Sequence, residues 1–451
     1  MRWTKFSSSG PVSPSIETWP PYPPLGETEL ERAVRLEEER EAKRISESID
    51  HGLELEQQEL RKRRNQTRVL LLGQSESGKS TVLKNFQLHF APEAFRAETE
   101  AWRAVIHLNL VRSVNFIMDV LSGQEELRQL RMQLSPLRQV EMMLVKSMSA
   151  SDPSHSASVV EEATPWFYGR ASEVLVRGGS SWKALLRRRK DKQTRQTRSD
   201  DLEVARHILH ACREDIASMW SNSIVQAALL EEGVSLQEQA GFFLDDAARV
   251  ADLDYEPSLS DILRARLQTI GVEEHVMTAE KFGEASRQWV FYDVGGSRGQ
   301  RASWVPFFED VNAILFLCSM AAFNEVLLED RSVNRLLDSF NLWRTICSSK
   351  LLKMTTFVLL LNKSDILKAK LETGISFVRY VKSYKDEPND YEHVSEYLQR
   401  KFIAYHRHYS PNQRQLHVHV TCAIDIDTTA TVITRIRDAI IVNNLISSDY
   451  L

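Results

Sequence analysis

Short unbroken apolar runs mark the C-terminal half of the chain: Trp289-Val290-Phe291-Tyr292, Ala313-Ile314-Leu315-Phe316-Leu317-Cys318, Phe357-Val358-Leu359-Leu360-Leu361 and His417-Val418-His419-Val420. A strand buried on both faces reads as such a run, whereas a half-exposed strand alternates apolar with polar. Here the runs alternate with stretches of helical periodicity, which predicts a mostly parallel sheet covered by helices. Arg68-Val69-Leu70-Leu71-Leu72, closed by Gly73, predicts one more buried strand far upstream, followed by a helix from Thr81 to Phe90. Between that helix and Trp289 the pattern is helical, as in Val105-Ile106-His107-Leu108-Asn109-Leu110-Val111 within residues 100–145, and again from Leu202 to about Val250.

The flanks differ. Residues 1–26 are rich in Pro and Ser and cannot bury a core, so disorder is expected there. Residues 27–66 turn to Glu, Arg, Lys and Leu with alternating charge, which predicts a long exposed helix, loosened at Gly52. Its sparse apolar positions, Leu30, Val34, Leu36, Ile45, Ile49 and Leu53, fit either a solvated face or a seam for a partner. Residues 146–200 are Ser-rich and then basic at Arg187-Arg188-Arg189-Lys190, and read as a loop-like insertion. The basic run reads as a solvated loop; as a membrane patch it would give only salt-sensitive attraction.

Composition narrows the class. The 451 residues are 42% hydrophobic and 26% charged, enough for more than one domain. A net charge of −5 is too mild to make nucleic-acid binding the main activity. Cys212, Cys318, Cys347 and Cys422 are too scattered for a disulfide framework or a zinc site, which fits a reducing compartment. No apolar run has a membrane span's length, residue 2 is Arg rather than the Gly of an N-myristoyl site, and the first 200 residues hold no Cys for acylation. Cytoplasmic residence is expected, with any contact to the cytoplasmic face of the plasma membrane peripheral.

The chemistry sits at the predicted strand ends. Gly73-Gln74-Ser75-Glu76-Ser77-Gly78-Lys79-Ser80 fits G-x-x-x-x-G-K-[ST] between a strand and a helix, the context that gives the pattern meaning. Backbone N–H groups of Glu76, Ser77, Gly78, Lys79, Ser80 and Thr81 would cradle phosphates at a helix N-terminus. Lys79 would reach the β- and γ-phosphates and Ser80 would ligate Mg²⁺. Asn362-Lys363-Ser364-Asp365 follows another strand. A carboxylate at Asp365 can accept from guanine N1–H and the 2-amino group, donors that adenine lacks. Asn362 would tie loops together and the Lys363 stem would lie along the base. Asp293, ending the strand of Phe291-Tyr292-Asp293-Val294-Gly295-Gly296, can hold Mg²⁺ through water, and Gly296 lets a backbone N–H approach the γ-phosphate.

These three motifs in this order resemble the GTPase family, and the long segment before Asp293 resembles the helical insert of heterotrimeric G-protein alpha subunits. The resemblance covers about residues 30–145 and 202–451. It implies a Ras-like α/β domain at 67–89 and 264–451 with an all-helical domain inserted at 90–263. By the same match to Asp261–Thr269, Arg266 is a built-in arginine finger, Thr269 a second Mg²⁺ ligand, and Leu263 and Arg264 lie beside the ribose. Val326–Asp330 with Asn334-Arg335 resembles a third switch, and Thr421-Cys422-Ala423 the loop whose Cys422 and Ala423 backbone meets the guanine oxygen. Ile440–Leu445 resembles a receptor-engaging C-terminal helix. The implied cofactors are GTP or GDP with Mg²⁺. The implied partners are a beta-gamma dimer and a seven-helix receptor, with Trp304 anchoring a switch or a partner.

The pattern is broken at the hydrolytic residues. Where the family has Gln after the Gly pair, this chain has Ser297, and where its P-loop has a third-position Gly, this chain has Ser75. Serine cannot present an amide carbonyl and N–H to an attacking water. Slow hydrolysis is therefore expected, with Arg266 still able to stabilise developing charge. A water network through Ser297 or Gln300 is the competing reading. Ala302 and Ser303 weigh against tight beta-gamma binding. A non-hydrolysing GTP-dependent binding module is the alternative function. A P-loop ATPase or kinase is disfavoured by Asn362–Asp365.

Overall fold

The computed structural model describes residues 28–149 and 192–447, together with 26 and 175–177, apart from 65, 233, 235, 238, 279–287, 310, 328, 386 and 412–413. The Pro-rich tail and the Arg187–Lys190 run lie outside the described residues. The chain divides into two units, Met1–Asn65 and Gln66–Leu451.

Among its described residues, the first unit holds one helix, Glu29–Arg64. A reciprocal pair opens it: Thr28 N–H donates to Glu31 Oε2 (2.9 Å) and Thr28 Oγ1 accepts from Glu31 N–H (3.4 Å). Ion pairs one turn apart line its surface, including Arg44–Glu41 at 2.9 Å and Arg40–Glu37 at 3.2 Å. The expected loosening at Gly52 does not occur. One glycine costs about 1 kcal/mol, which long helical arms on both sides absorb through cooperativity.

In the second unit β1 (Gln66–Gly73), β2 (Leu175–Arg177), β3 (Gln268–Ile270), β4 (Val272–Thr278), β5 (Gln288–Val294), β6 (Ala313–Ser319), β7 (Thr356–Asn362) and β8 (Leu416–Val420) form two sheets. The large sheet runs β4-β5-β1-β6-β7-β8, parallel throughout except for antiparallel β4 at one edge. Alternate residues of β1 enter different cores. Val69 and Leu71 pack with Phe86, Trp289, Phe291 and Ile433 under helices Lys79–Phe90 and Ile426–Ser447. Leu70 and Leu72 pack with Phe316, Trp343, Phe357 and Phe402 under helices Arg335–Ser348 and Tyr391–Tyr409. Burial on both faces is why these strands read as unbroken apolar runs. A third core, around Val105, Ile106, Leu209, Ile216 and Phe243, belongs to helices of the intervening segment. Its axis is helix Thr99–Val120, apolar on most sides and buried accordingly.

Two expectations for the 146–200 insertion need correction. Helix Leu137–Ser149 enters it, and helix Lys192–Ala211 starts inside it. Lys192-Gln193-Thr194-Arg195-Gln196 is built largely of good helix formers, which the loop reading of the basic stretch overlooked. Within it, β2 pairs in parallel with β3. Three residues carry too little pattern to announce a strand. Edge strand β4 was also unread, because Glu273-Glu274-His275 interrupts its apolar positions.

A candidate nucleotide site at the strand ends

Parallel strands deliver their C-terminal loops to one edge of the sheet, where open α/β folds bind ligands. Register fixes the neighbours: Leu71 lies beside Asp293, Gly73 beside Leu317, and Ser319 beside Asn362. The loops after β1, β5, β7 and β8 surround a cavity of about 510 Å³, within the range of small-molecule sites. Glu76, Gly78, Lys79, Ser80, Thr81, Leu263, Arg264, Arg266, Asp293, Gly296, Ser297, Asn362, Lys363, Asp365, Cys422 and Ala423 all line it. Of the expected site residues, Ser77 and Thr269 are not among its lining. Ser77 is buried beneath the loop, and Thr269 is described only by its backbone in β3.

The loops are bonded to one another. Asn362 Nδ2 donates to Ser77 O (2.9 Å), and its Oδ1 accepts from Ala423 N–H (3.1 Å) and Thr421 Oγ1 (3.2 Å). One amide therefore joins the P-loop, β7 and the loop after β8. Gly78 leaves room for it: a Cβ there would lie 2.1 Å from Asn362 Nδ2, and the backbone is left-handed at φ +102°. Ser80 Oγ donates to Asp293 Oδ2 at 2.7 Å, bringing two of the three expected metal-binding groups together across β1 and β5. Lys79 Nζ donates to Gly73 O (3.0 Å) and Gln74 O (2.8 Å). Burial pushes its ammonium down to about 8, Asp293 pulling the other way and Arg301 and Arg335 adding to the fall. A buried cation held by carbonyls, with further cations near, is matched to an incoming polyanion. The Ser77 hydroxyl, 1% exposed, has no hydrogen-bond partner among the described residues. Cradle, cation and carboxylate thus fit a magnesium-bound nucleoside phosphate.

Arg266 is buried and paired with Glu76, a P-loop residue in left-handed conformation at φ 62°. Glu76 also meets Arg335 Nη1 at 3.2 Å. Glu325 receives Arg335 at 2.6 Å and Lys370 at 2.9 Å, extending the chain of charges to the helix after Asn362. Asn109, from the helical core, clasps the Arg266 backbone: its Oδ1 accepts from Arg266 N–H (2.9 Å) and its Nδ2 donates to Arg266 O (3.1 Å). Lys84 Nζ donates to Ile262 O (2.8 Å) and Ala265 O (2.6 Å), and burial pushes it down to about 7 against the pull of Asp293. Leu263 is buried, while the Arg264 guanidinium turns to Asp246 Oδ2 (3.0 Å) and Phe242 O (3.0 Å).

On the side expected to face the γ-phosphate, Ser297 precedes a 3₁₀ helix, Arg298–Phe307, at its N-cap position. Gln300 N–H donates to Ser297 O at 3.0 Å, and the half-buried Gln300 also lines the cavity. Trp304 is 2% exposed and donates Nε1–H to Gly295 O (3.0 Å). Of the two roles expected for it, the structure places it as an anchor of its own loop; buried, it offers no face to a partner. Asp365 is exposed and lines the cavity, which leaves its carboxylate within reach of a base's donors. At the C-terminal helix Ile440 is buried in the sheet core and Asn443 Nδ2 donates to Thr356 Oγ1 (2.7 Å), so part of the expected receptor-facing segment faces inward. Sequence reasoning missed Gln74, Lys84, Asn109, Glu325 and Asp338. No local motif marks them, because their partners lie tens to hundreds of residues away.

A P-loop at a parallel sheet edge, an aspartate across from its serine, an Asn-Lys-x-Asp strand end and an intervening helical core define a GTPase of the heterotrimeric type. A family model described as the G-protein alpha subunit matches residues 43–440, and the chain belongs to that family. It is similar to the guanine nucleotide-binding protein alpha-4 subunit of Mycosarcoma maydis, 28% identical over 94% of this chain and 93% of that one. It is also similar to a guanine nucleotide-binding protein alpha subunit of Sporothrix schenckii, 29% identical over 90% of this chain and 96% of that one. The alpha-1 subunit of Neurospora crassa is 28% identical over the same shares. The chain is thereby a guanine-nucleotide-binding signal transducer in a family of GTPases. Members of the family generally bind GTP, GDP and Mg²⁺, and partner with beta-gamma dimers and receptors. No helix among the described residues is long and apolar enough to cross a membrane.

Proposed function

We propose that this chain holds GTP or GDP with Mg²⁺ in the strand-end cavity and hydrolyses GTP slowly, so that its GTP-bound state persists. The observation that carries the reading is a single cavity lined together by Lys79, Ser80, Asp293, Asn362 and Asp365. Lys79 and the backbone from Glu76 to Thr81 would hold the phosphates, with Ser77 Oγ beneath them. Ser80 and Thr269 would ligate the metal directly, and Asp293 through water. Lys363 and the Cys422–Ala423 backbone would hold the base, with Asp365 selecting guanine. Leu263 and Arg264 would flank the ribose, Leu263 by packing and Arg264 by its backbone. When bound, the metal neutralises charge on the phosphates.

Attack of water on the γ-phosphorus forms one P–O bond and breaks the bond to the β-phosphate oxygen, and the water's protons pass to the released phosphate. Arg266, freed from Glu76, can stabilise charge as it develops. Ser297 is too short to orient that water, which supports slow turnover. We further read 67–89 with 264–451 as the GTPase domain, 90–263 as the inserted helical domain, and 1–26 and 27–66 as tail and helix. The outward side of helix Ile426–Ser447 is the proposed receptor contact. Beta-gamma association is proposed as weak, given Ala302 and Ser303, and membrane contact as peripheral from the cytoplasm.

Titration with GDP, a non-hydrolysable GTP analogue and ATP, with and without Mg²⁺, tests the reading. Guanine nucleotides should bind in a Mg²⁺-dependent manner and ATP should not compete; equal ATP binding, or no guanine-nucleotide binding, contradicts it. A non-hydrolysing binding module is the second reading, favoured by Ser297, and the complete absence of phosphate release would select it.

A further inference from the structure

Gln74 occupies a free position of the P-loop motif, yet it is only 4% exposed and bonded away from the cavity. Its Nε2 donates to Asp338 Oδ2 (2.5 Å) and to Arg335 O (2.8 Å), both on helix Arg335–Ser348. Asp338 in turn takes the fork of Arg301, from Nη1 to Oδ1 (3.1 Å) and from Nη2 to Oδ2 (2.5 Å). Burial alone would raise the Asp338 carboxyl, but the Arg301 fork and the Gln74 amide outweigh it and hold it below the usual carboxylate range. Arg301 lies on the 3₁₀ segment that follows the Gly295-Gly296 pair and Ser297.

The backbone of Gln74 faces the other way. Its carbonyl accepts from Lys79 Nζ at 2.8 Å. Gly296 packs directly on the same peptide: a Cβ there would lie 2.3 Å from Ser75 N and 2.4 Å from Gln74 C. One residue therefore touches the phosphate-binding lysine and Gly296 through its backbone, and the Arg301–Asp338 pair through its side chain. A displacement of the loop would be passed toward Arg301 both through Gly296 and through Asp338.

We infer that Gln74 is a positioning residue that ties the segment Arg298–Phe307 to the phosphate-binding loop by way of Asp338. The inference rests on the nucleotide reading above and goes beyond it by assigning a coupling element that the motif leaves unspecified. Alanine or methionine at this position would keep the loop's backbone contacts but remove the amide that fixes Asp338. Methionine matches Gln74 in length without its donors, so it separates hydrogen bonding from packing.

The test is limited trypsin digestion of the full chain, saturated with Mg²⁺ and a non-hydrolysable GTP analogue, with cleavage after Arg298 and Arg301 located by mass spectrometry. Bound-nucleotide stoichiometry and the melting transition verify folding. Gln74→Met should cleave at these two bonds about 10-fold faster than wild type, the factor implied by loss of one charge-assisted hydrogen bond. In an Asp338→Asn background the same change should add nothing. Gln74→Glu, which sets a second carboxylate against Asp338, gives an independent arm and should open both bonds at least as fast as Gln74→Met. Wild-type protection in both Gln74 variants, or additive effects with Asp338→Asn, overturns the inference. If the wild-type chain binds no guanine nucleotide, the underlying reading is what fails, and this inference falls with it.

Discussion

The two ends of the cavity are built to different standards. At the holding end, Asn362 joins three loops, Ser80 meets Asp293, and Lys79 sits buried against loop carbonyls. At the proposed hydrolytic end, Ser297 stands where the proposed reaction calls for an amide, and Arg266 is paired with Glu76. Affinity and turnover draw on different side chains of one site, so one can persist while the other declines. A complete set of groups able to hold a nucleotide does not by itself imply fast hydrolysis.

The largest effect is expected at the holding end. Lys79→Ala should weaken binding of both GDP and GTP analogues on the order of 100-fold, as loss of a buried charge-assisted contact implies. Isothermal titration measures it, and unchanged affinity would erase the contrast between the ends. Next is Trp304→Phe, which leaves Gly295 O without its donor and should cost about 2 kcal/mol in denaturant unfolding. A near-neutral result would mean that the hydrolytic end is less firmly anchored than its burial implies. Glu76→Gln removes the carboxylate shared by Arg266 and Arg335 and should speed GDP dissociation by roughly 10-fold. An unchanged off-rate would remove Glu76 from the retention of nucleotide.

An effect that appears only on acidification lies away from the cavity and separates acid unfolding from acid loss of nucleotide. Burial, aided by Arg206, pushes His107 down to about 3 despite its bond to Val250 O. The unfolded chain then binds a proton in the window from about 6.5 to 3 that the folded chain refuses. Stability from this group is complete above about 6.5 and is lost as pH falls toward 3, at no more than about 1.4 kcal/mol per pH unit. His107→Gln should flatten that slope in pH-dependent melting without steepening it elsewhere.

Legibility in the sequence followed locality. Strands buried on both faces announced themselves, as did the P-loop and Asn362–Asp365, because each needs its residues within one short segment. The edge strand β4 was hidden by the polar stretch Glu273-Glu274-His275, and β2 by its brevity. The network from Arg266 through Glu76, Arg335 and Glu325 to Lys370 spans most of the chain. Glu76, Arg266 and Arg335 were read for separate roles, but their pairing was not, and Glu325 and Lys370 look like ordinary surface charges until folding brings them together. Trp304 was legible as an anchor but not as one turned wholly inward.

Single-turnover hydrolysis of GTP bound to the full chain, compared between wild type and Ser297→Gln with Gln300→Ala as a third arm, tests the central claim most directly. Phosphate release from wild type should be slow, rise about 10-fold or more with Ser297→Gln, and change little with Gln300→Ala. Rapid release from wild type that Gln300→Ala abolishes and Ser297→Gln does not improve would contradict it.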